Sequence, residues 1–98
     1  ELPDLYPVSS NIQDYVTPSL SALERGKCYV QIATYGNEAS IKSLISTYGA
    51  KYPMTIVPTA SGRSYQILVG PLSLDEYGST FERFKAYGFT DAFVRKVK

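Results

Sequence analysis

The chain has 98 residues, of which 44% are hydrophobic, and its ten Lys and Arg balance nine Asp and Glu to give a net charge of +1. A chain of this length predicts one small domain that buries roughly 60–65% of the surface of its unfolded state. The near-neutral charge argues against a nucleic-acid binder, which usually clusters Lys and Arg in a basic stripe, and no apolar run approaches the ~18–20 residues of a membrane-spanning helix.

The side chains available for catalysis and metal binding are few. The chain contains no histidine and one cysteine, so it cannot build a Ser-His-Asp or Cys-His site, a common nitrogen–sulfur metal site or an internal disulfide by itself. Cys28, at the start of a predicted strand, is expected to be a small buried hydrophobe. We therefore predict a non-catalytic domain without metal or cofactor.

The first 26 residues have an irregular pattern rich in proline and polar residues. Thr17 followed by Pro18 resembles a helix start, with proline at the first helical position. Leu20 and Leu23 lie three residues apart, which favours a short helix docked by that pair. We predict that residues 1–26 form a linker ordered near its end, and that residues 27–98 form the domain.

Strand and helix patterns alternate after residue 27. Four segments rich in β-branched and aromatic residues predict strands: 29–35, 54–59, 64–70 and 92–97. Two apolar stripes at helical spacing predict helices: Ile41, Leu44, Ile45 and Tyr48, then Leu74, Tyr77, Phe81 and Phe84. Asn37 is placed to cap the first helix, and Ser73 with Glu76 fits a capping box for the second.

The order β-α-β-β-α-β predicts an α+β fold. Right-handed crossovers of this order give a four-stranded antiparallel sheet with the first and third strands central and both helices packed on one face. Pro58 indicates an edge position for the second strand, because proline cannot donate to a ladder. The other face of the sheet is expected to be open.

The open face is the candidate binding surface. Side chains alternate across a strand, and on the first, third and fourth strands the alternation predicts these outward residues: Tyr29, Gln31, Tyr35, Gln66, Leu68, Phe93 and Arg95. Tyrosine rings can stack on the apolar face of a sugar, while glutamine amides supply the donors and acceptors that sugar hydroxyl and N-acetyl groups need. Ordinary cross-strand pairs on a solvated face are the alternative interpretation.

Two motifs in the chain resemble a known family. The segment "YVQIATYGNEASIKSLI", followed by "SYQILVGPLSLDE…GF", resembles the sporulation-related repeat (SPOR) domain of bacterial cell-envelope proteins over residues 27–98. The first strand matches at Tyr29, Val30 and Gln31, and the third at Tyr65, Val69, Gly70 and Pro71. The chain departs from the family at four positions. Ala33 stands where the family has glycine, Tyr35 and Leu72 where it has phenylalanine, and Gln66 where it has arginine.

The resemblance implies binding to peptidoglycan. Family members recognise glycan strands without stem peptides and direct their parent proteins to the division septum, so a location in the periplasm or cell envelope is expected. Arg63 or Arg95 is the predicted partner of the carboxylate that peptide removal exposes. We expect a monomer that binds glycan strands and no nucleic acid.

Two other functions are compatible with the same fold. A protein–protein interaction domain of the cell envelope could use the same open face. RNA-recognition modules share the strand order and stack bases on sheet aromatics, but the third strand here has one aromatic residue, Tyr65, which the alternation assigns to the core. RNA binding is therefore the weakest of the three hypotheses.

Overall fold

The structure, a computed structural model, describes residues 11–97. Its strands are β1 (Cys28–Tyr35), β2 (Met54–Pro58), β3 (Tyr65–Leu72) and β4 (Phe93–Lys96), and its helices are α1 (Glu38–Tyr48) and α2 (Tyr77–Ala86). The strands form one antiparallel sheet in the order β2-β3-β1-β4. This confirms the predicted α+β fold, with the first and third strands central and β2 at an edge. Within residues 11–97, no helix is both long enough and apolar enough to cross a membrane.

Helix α1 begins at the predicted cap. The side chain of Asn37 accepts hydrogen bonds from the backbone N–H groups of Ala39, at 2.7 Å, and Ser40, at 3.4 Å. These bonds satisfy donors that have no partner inside the first turn. Ile41 and Leu44 then point from the helix into the core.

Helix α2 begins later than its apolar stripe predicted. Residues 73–76 form a turn, in which the Glu76 carboxylate accepts a hydrogen bond from the Ser73 backbone N–H at 3.0 Å. This is one half of the predicted capping box. Because Leu74 precedes the helix, it does not follow the helical stripe, and it is 69% exposed. Its predicted burial is wrong, whereas Phe84 is fully buried.

The core between sheet and helices is centred on Phe84. Its ring lies 4.9 Å from the ring of Tyr52 and 5.1 Å from that of Tyr48, centroid to centroid. Residues from both helices and both central strands belong to the same core cluster, among them Ile41, Leu44, Ile45, Val30, Ile32, Ile67 and Val69. Both helices therefore cover the same face of the sheet.

The segment before β1 packs on the sheet from residue 12 onward. Ile12 is buried in the helix-side core, and Val16 forms a parallel bridge with Ile56 at the edge of β2. The chain then crosses to the other face, where a three-residue 3-10 turn, Leu20–Ala22, forms in place of the predicted short helix, and Leu20 is exposed. Leu23 is buried there. The segment 11–26 thus wraps around one edge of the sheet, and the predicted structure of residues 1–10 lies outside the described residues.

Candidate functional site

Leu23 covers one half of the sheet face that has no helices. It packs in a cluster with Tyr29, Val57 and Leu68, which are 3%, 1% and 0% exposed. The hydroxyl of Tyr29 accepts a hydrogen bond from the backbone N–H of Glu24 at 3.0 Å. Tyr29 and Leu68 therefore point as the alternation predicted, but they are structural residues whose surface no ligand can reach.

The close packing of Tyr29 also explains the glycine of β3. A Cβ atom on Gly70 would lie 2.6 Å from Cδ2 of the Tyr29 ring and 3.0 Å from the Cys28 carbonyl oxygen. Only glycine admits the ring at this distance. The Gly70 position thus fixes the ring of Tyr29 inside the covered half of the face.

A bulge in β1 moves Tyr35 to the helix side of the sheet. Gln31 pairs with Leu68, but the next paired residue, Ala33, lies opposite Ile67. The extra residue between them, Ile32, reverses the alternation of side chains for the rest of the strand. Tyr35 consequently packs against the helix-side core, so its predicted place on the open face is wrong.

Four side chains form the exposed half of the open face, which we call the polar patch: Gln31, Gln66, Phe93 and Arg95. Arg95 Nε donates to Gln31 Oε1 at 2.7 Å, and a terminal nitrogen of the same guanidinium donates to Gln66 Oε1 at 3.4 Å. The guanidinium carbon lies 5.0 Å from the centroid of the Phe93 ring, which is within the distance of a cation–π contact. Phe93 is 44% exposed. The predicted outward direction of all four residues is confirmed.

The hydrogen bonds of the polar patch leave it rich in donors. A guanidinium only donates, so both glutamine oxygens face Arg95 and both amide NH₂ groups remain for another partner. Arg95 uses two of its five N–H groups on these amides. The patch therefore matches a ligand that offers acceptor oxygens, and a carboxylate above all.

Two hollows border the polar patch, and each is lined by one of its glutamines. One has a volume of about 410 Å³ and is lined by Gln31, Thr34, Asp91 and Phe93, among others. The other has a volume of about 420 Å³ and includes Gln66. Arg95 is hydrogen-bonded to both of these glutamines and thereby connects the residues that line the two hollows. Sequence reasoning missed Thr34 and Asp91, because their position depends on the bulge and on the loop before β4.

Arg63, the other arginine predicted to meet a carboxylate, is not a member of the polar patch. It lies in the exposed loop between β2 and β3, and its backbone N–H donates to the Ser61 hydroxyl at 3.3 Å. Among residues 11–97 the hydrogen bonds of the patch involve Arg95 and not Arg63. The structure brings together only one of the two candidate arginines.

The fold and this face define a class: an α+β sheet domain with helices on one face and a donor-rich polar patch on the other. No protein-family model, no curated protein and no solved structure matches the chain. The resemblance to SPOR domains therefore stays a prediction that depends on the two strand motifs.

Proposed function

We propose that the polar patch binds peptidoglycan glycan strands that have lost their stem peptides, and that the domain is a non-catalytic module of the bacterial periplasm or cell envelope. In this role it directs a parent protein to the septum or cell wall. The observation that supports the proposal best is the position of Arg95, which Gln31 and Gln66 hold on the exposed half of the sheet.

The chemistry of the patch fits such a strand. Removal of a stem peptide exposes the lactyl carboxylate of N-acetylmuramic acid, and this anion can accept hydrogen bonds from the Arg95 guanidinium. The flanking amide NH₂ groups can donate to further oxygens of the sugar. The exposed Phe93 ring supplies an apolar surface for the C–H face of a pyranose.

A protein partner is the second candidate, and the pairing of Phe93 with Arg95 favours it. Exposed aromatic and arginine side chains are frequent energetic centres of protein interfaces, and here the two are in contact. A protein partner would bind independently of the glycan carboxylate. The dependence of binding on that carboxylate therefore separates the two functions.

The test is a pull-down with insoluble peptidoglycan sacculi, before and after amidase treatment. We expect the unaltered chain to bind better after treatment, since amidase exposes the carboxylate. Arg95→Gln should lower binding by about tenfold or more, because a hydrogen bond to a charged group contributes about 1.5–3 kcal/mol. Arg63→Gln removes the same charge outside the patch and is the matched control, for which we expect little loss.

Gln31→Ala tests the same face without a change of charge. We expect weaker binding to treated sacculi, because both a ligand hydrogen bond and the bond that orients Arg95 are lost. Equal losses in Arg95→Gln and Arg63→Gln would indicate non-specific charge attraction. Undiminished binding by Gln31→Ala and Arg95→Gln would show that the polar patch is not the site.

A further inference from the structure

The two edges of the sheet differ in what lies beside them. β2 and β4 are the outer strands. The edge of β2 is covered by the chain itself, because Val16 forms a parallel bridge with Ile56 and the Thr17 N–H donates to the Ile56 carbonyl oxygen at 2.8 Å. Pro58, at the end of β2, has no N–H to offer. Within residues 11–97, β4 pairs with β1 alone, so its outer edge is open.

The free backbone groups on this edge belong to Val94 and Lys96. The Val97 N–H donates to the Lys27 carbonyl oxygen at 3.0 Å, so the backbone of Val97 faces β1. In an antiparallel ladder every second residue bonds the same neighbour. Arg95 therefore also bonds β1, whereas Val94 and Lys96 direct their N–H and C=O groups outward. Such a row of groups is a template for a further strand.

Two cations are held beside this edge, one on each face of the sheet. Arg95 lies on the open face, where its guanidinium carbon is 5.0 Å from the centroid of the Phe93 ring. Lys96 lies on the helix side, where its ammonium nitrogen is 5.1 Å from the ring centroid of Tyr77 in α2. β4 itself contains no acidic residue, and in the described part of the chain neither cation forms a salt bridge. The edge thus presents two positive charges in fixed places.

We infer that the outer edge of β4 binds an extended segment of a partner protein that carries two consecutive acidic residues. Consecutive side chains of a strand point to opposite faces, so acids that pair with Lys96 and Arg95 meet one cation on each face. The segment adds a strand to the sheet in the antiparallel direction that the other strands share. This interaction uses backbone groups of the edge and is independent of the proposed function.

A second copy of the chain is a poorer partner for the same edge. The outward groups of two copies are all paired only when Val94 of each copy faces Lys96 of the other. This register places Arg95 directly opposite the second copy's Arg95, and like charges in that position destabilise a strand pair. A segment with two acids replaces this repulsion with attraction on both faces. The charge of the edge therefore favours an acidic partner.

The test uses two fluorescently labelled peptides, TTEEVTVT and its neutral counterpart TTQQVTVT, each blocked at both ends. Their affinities for the full chain are measured by fluorescence anisotropy. We expect the acidic peptide to bind about fivefold more tightly, because opposite charges across neighbouring strands attract. Lys96→Glu should weaken binding of the acidic peptide by about fivefold or more, since repulsion replaces one of the attractions.

Matched controls separate the edge from charge in general. Lys42→Glu makes the same change on α1, where Lys42 pairs with Glu38 at 3.6 Å, and it should bind the acidic peptide like the unaltered chain. The peptide TTKEVTVT, whose lysine lies opposite position 96 in the antiparallel register, should restore binding to Lys96→Glu. TTEKVTVT should not restore it, because its lysine would face Arg95.

Amide hydrogen exchange measured by NMR tests the backbone contact directly. In the free chain the amides of Val94 and Lys96 should exchange fast, whereas the amide of Arg95 is protected by its bond to β1. The acidic peptide at saturation should slow exchange of the two outward amides by about tenfold or more. A partner bound on the polar patch alone would leave both amides fast.

The results that would overturn the inference are specific to this edge. They are equal affinity for the acidic and neutral peptides, undiminished binding by a folded Lys96→Glu, and fast exchange of both outward amides at saturating peptide. Protection of both amides in the free chain, together with a dimer in sedimentation, would assign the edge to a second copy and overturn the inference as well. The proposed function is tested on sacculi with Arg95→Gln and Arg63→Gln, so either proposal can fail alone.

Discussion

The two faces of the sheet are covered to different extents. On the helix side, residues from both helices and from the sheet form one core cluster that includes the fully buried Phe84. On the opposite side, the buried cluster has four members: Leu23, Tyr29, Val57 and Leu68. The last three belong to strands, and Leu23 comes from the segment before β1. Beyond Leu23 the face is polar and accessible. Leu23 therefore covers the structural half of this face and leaves the candidate binding half accessible.

The comparison indicates where a change can alter function without unfolding the domain. The helix-side core has many mutually dependent contacts, and the loss of one leaves a cavity that the rest cannot fill. The covered half of the open face depends on few contacts, and the polar patch on hydrogen bonds at the surface. Two variants test the first two of these stability effects, and a third tests a surface hydrogen bond at the start of α2.

The largest effect is expected in the helix-side core. Phe84 is 0% exposed and contacts the rings of Tyr48 and Tyr52, so Phe84→Ala should lower the free energy of unfolding by about 3–5 kcal/mol. Denaturant melts measure this change. Leu74→Ala is the control, and we expect a change within about 0.5 kcal/mol. A loss below about 1 kcal/mol in Phe84→Ala would mean that the core is not centred on this ring.

The second effect concerns the cover on the opposite face. Leu23→Ala should lower the free energy of unfolding by about 2–3 kcal/mol, because Leu23 is 5% exposed and seals Tyr29, Val57 and Leu68. Leu20→Ala should change it by less than about 0.5 kcal/mol. Equal, negligible effects of the two substitutions would show that residues 18–25 are a linker without a docked side chain.

The smallest effect concerns the start of α2. The pKa of Glu76 is held below its ordinary value. The largest cause is the hydrogen bond from the Ser73 backbone N–H, and smaller ones are the Ser73 side chain and the nearby charge of Lys27. Because the pKa is lower in the folded state, this carboxylate stabilises the fold above the ordinary glutamate pKa, and the contribution disappears as the pH falls through the folded pKa.

Glu76→Gln should therefore be slightly less stable than the unaltered chain at neutral pH and equally stable in acid. Thermal melts of both proteins across the acidic range measure the difference. The effect is small because Glu76 is exposed to solvent. A difference that persists unchanged at low pH would assign the effect to lost packing and not to the charge.

The strand patterns predicted the outward residues well wherever the alternation was regular. The two-residue period of side-chain direction along a strand placed four residues on the accessible face: Gln31, Gln66, Phe93 and Arg95. The structure confirms that placement. Tyr35 was misplaced, since a bulge inserts one residue and no local signal in the chain marks it. Tyr29 was placed on the correct face, but its burial depends on Leu23, which the spacing with Leu20 only suggested.

The sequence by itself determined the order of strands and helices, the antiparallel sheet and the side on which the helices pack. Those features follow from local periods of 2 and 3.6 residues and from the handedness of the connections. Only the tertiary structure decided which half of the open face is accessible and that Arg95, rather than Arg63, meets both glutamines. Such choices depend on strand register and on contacts between distant residues, which the local pattern does not encode.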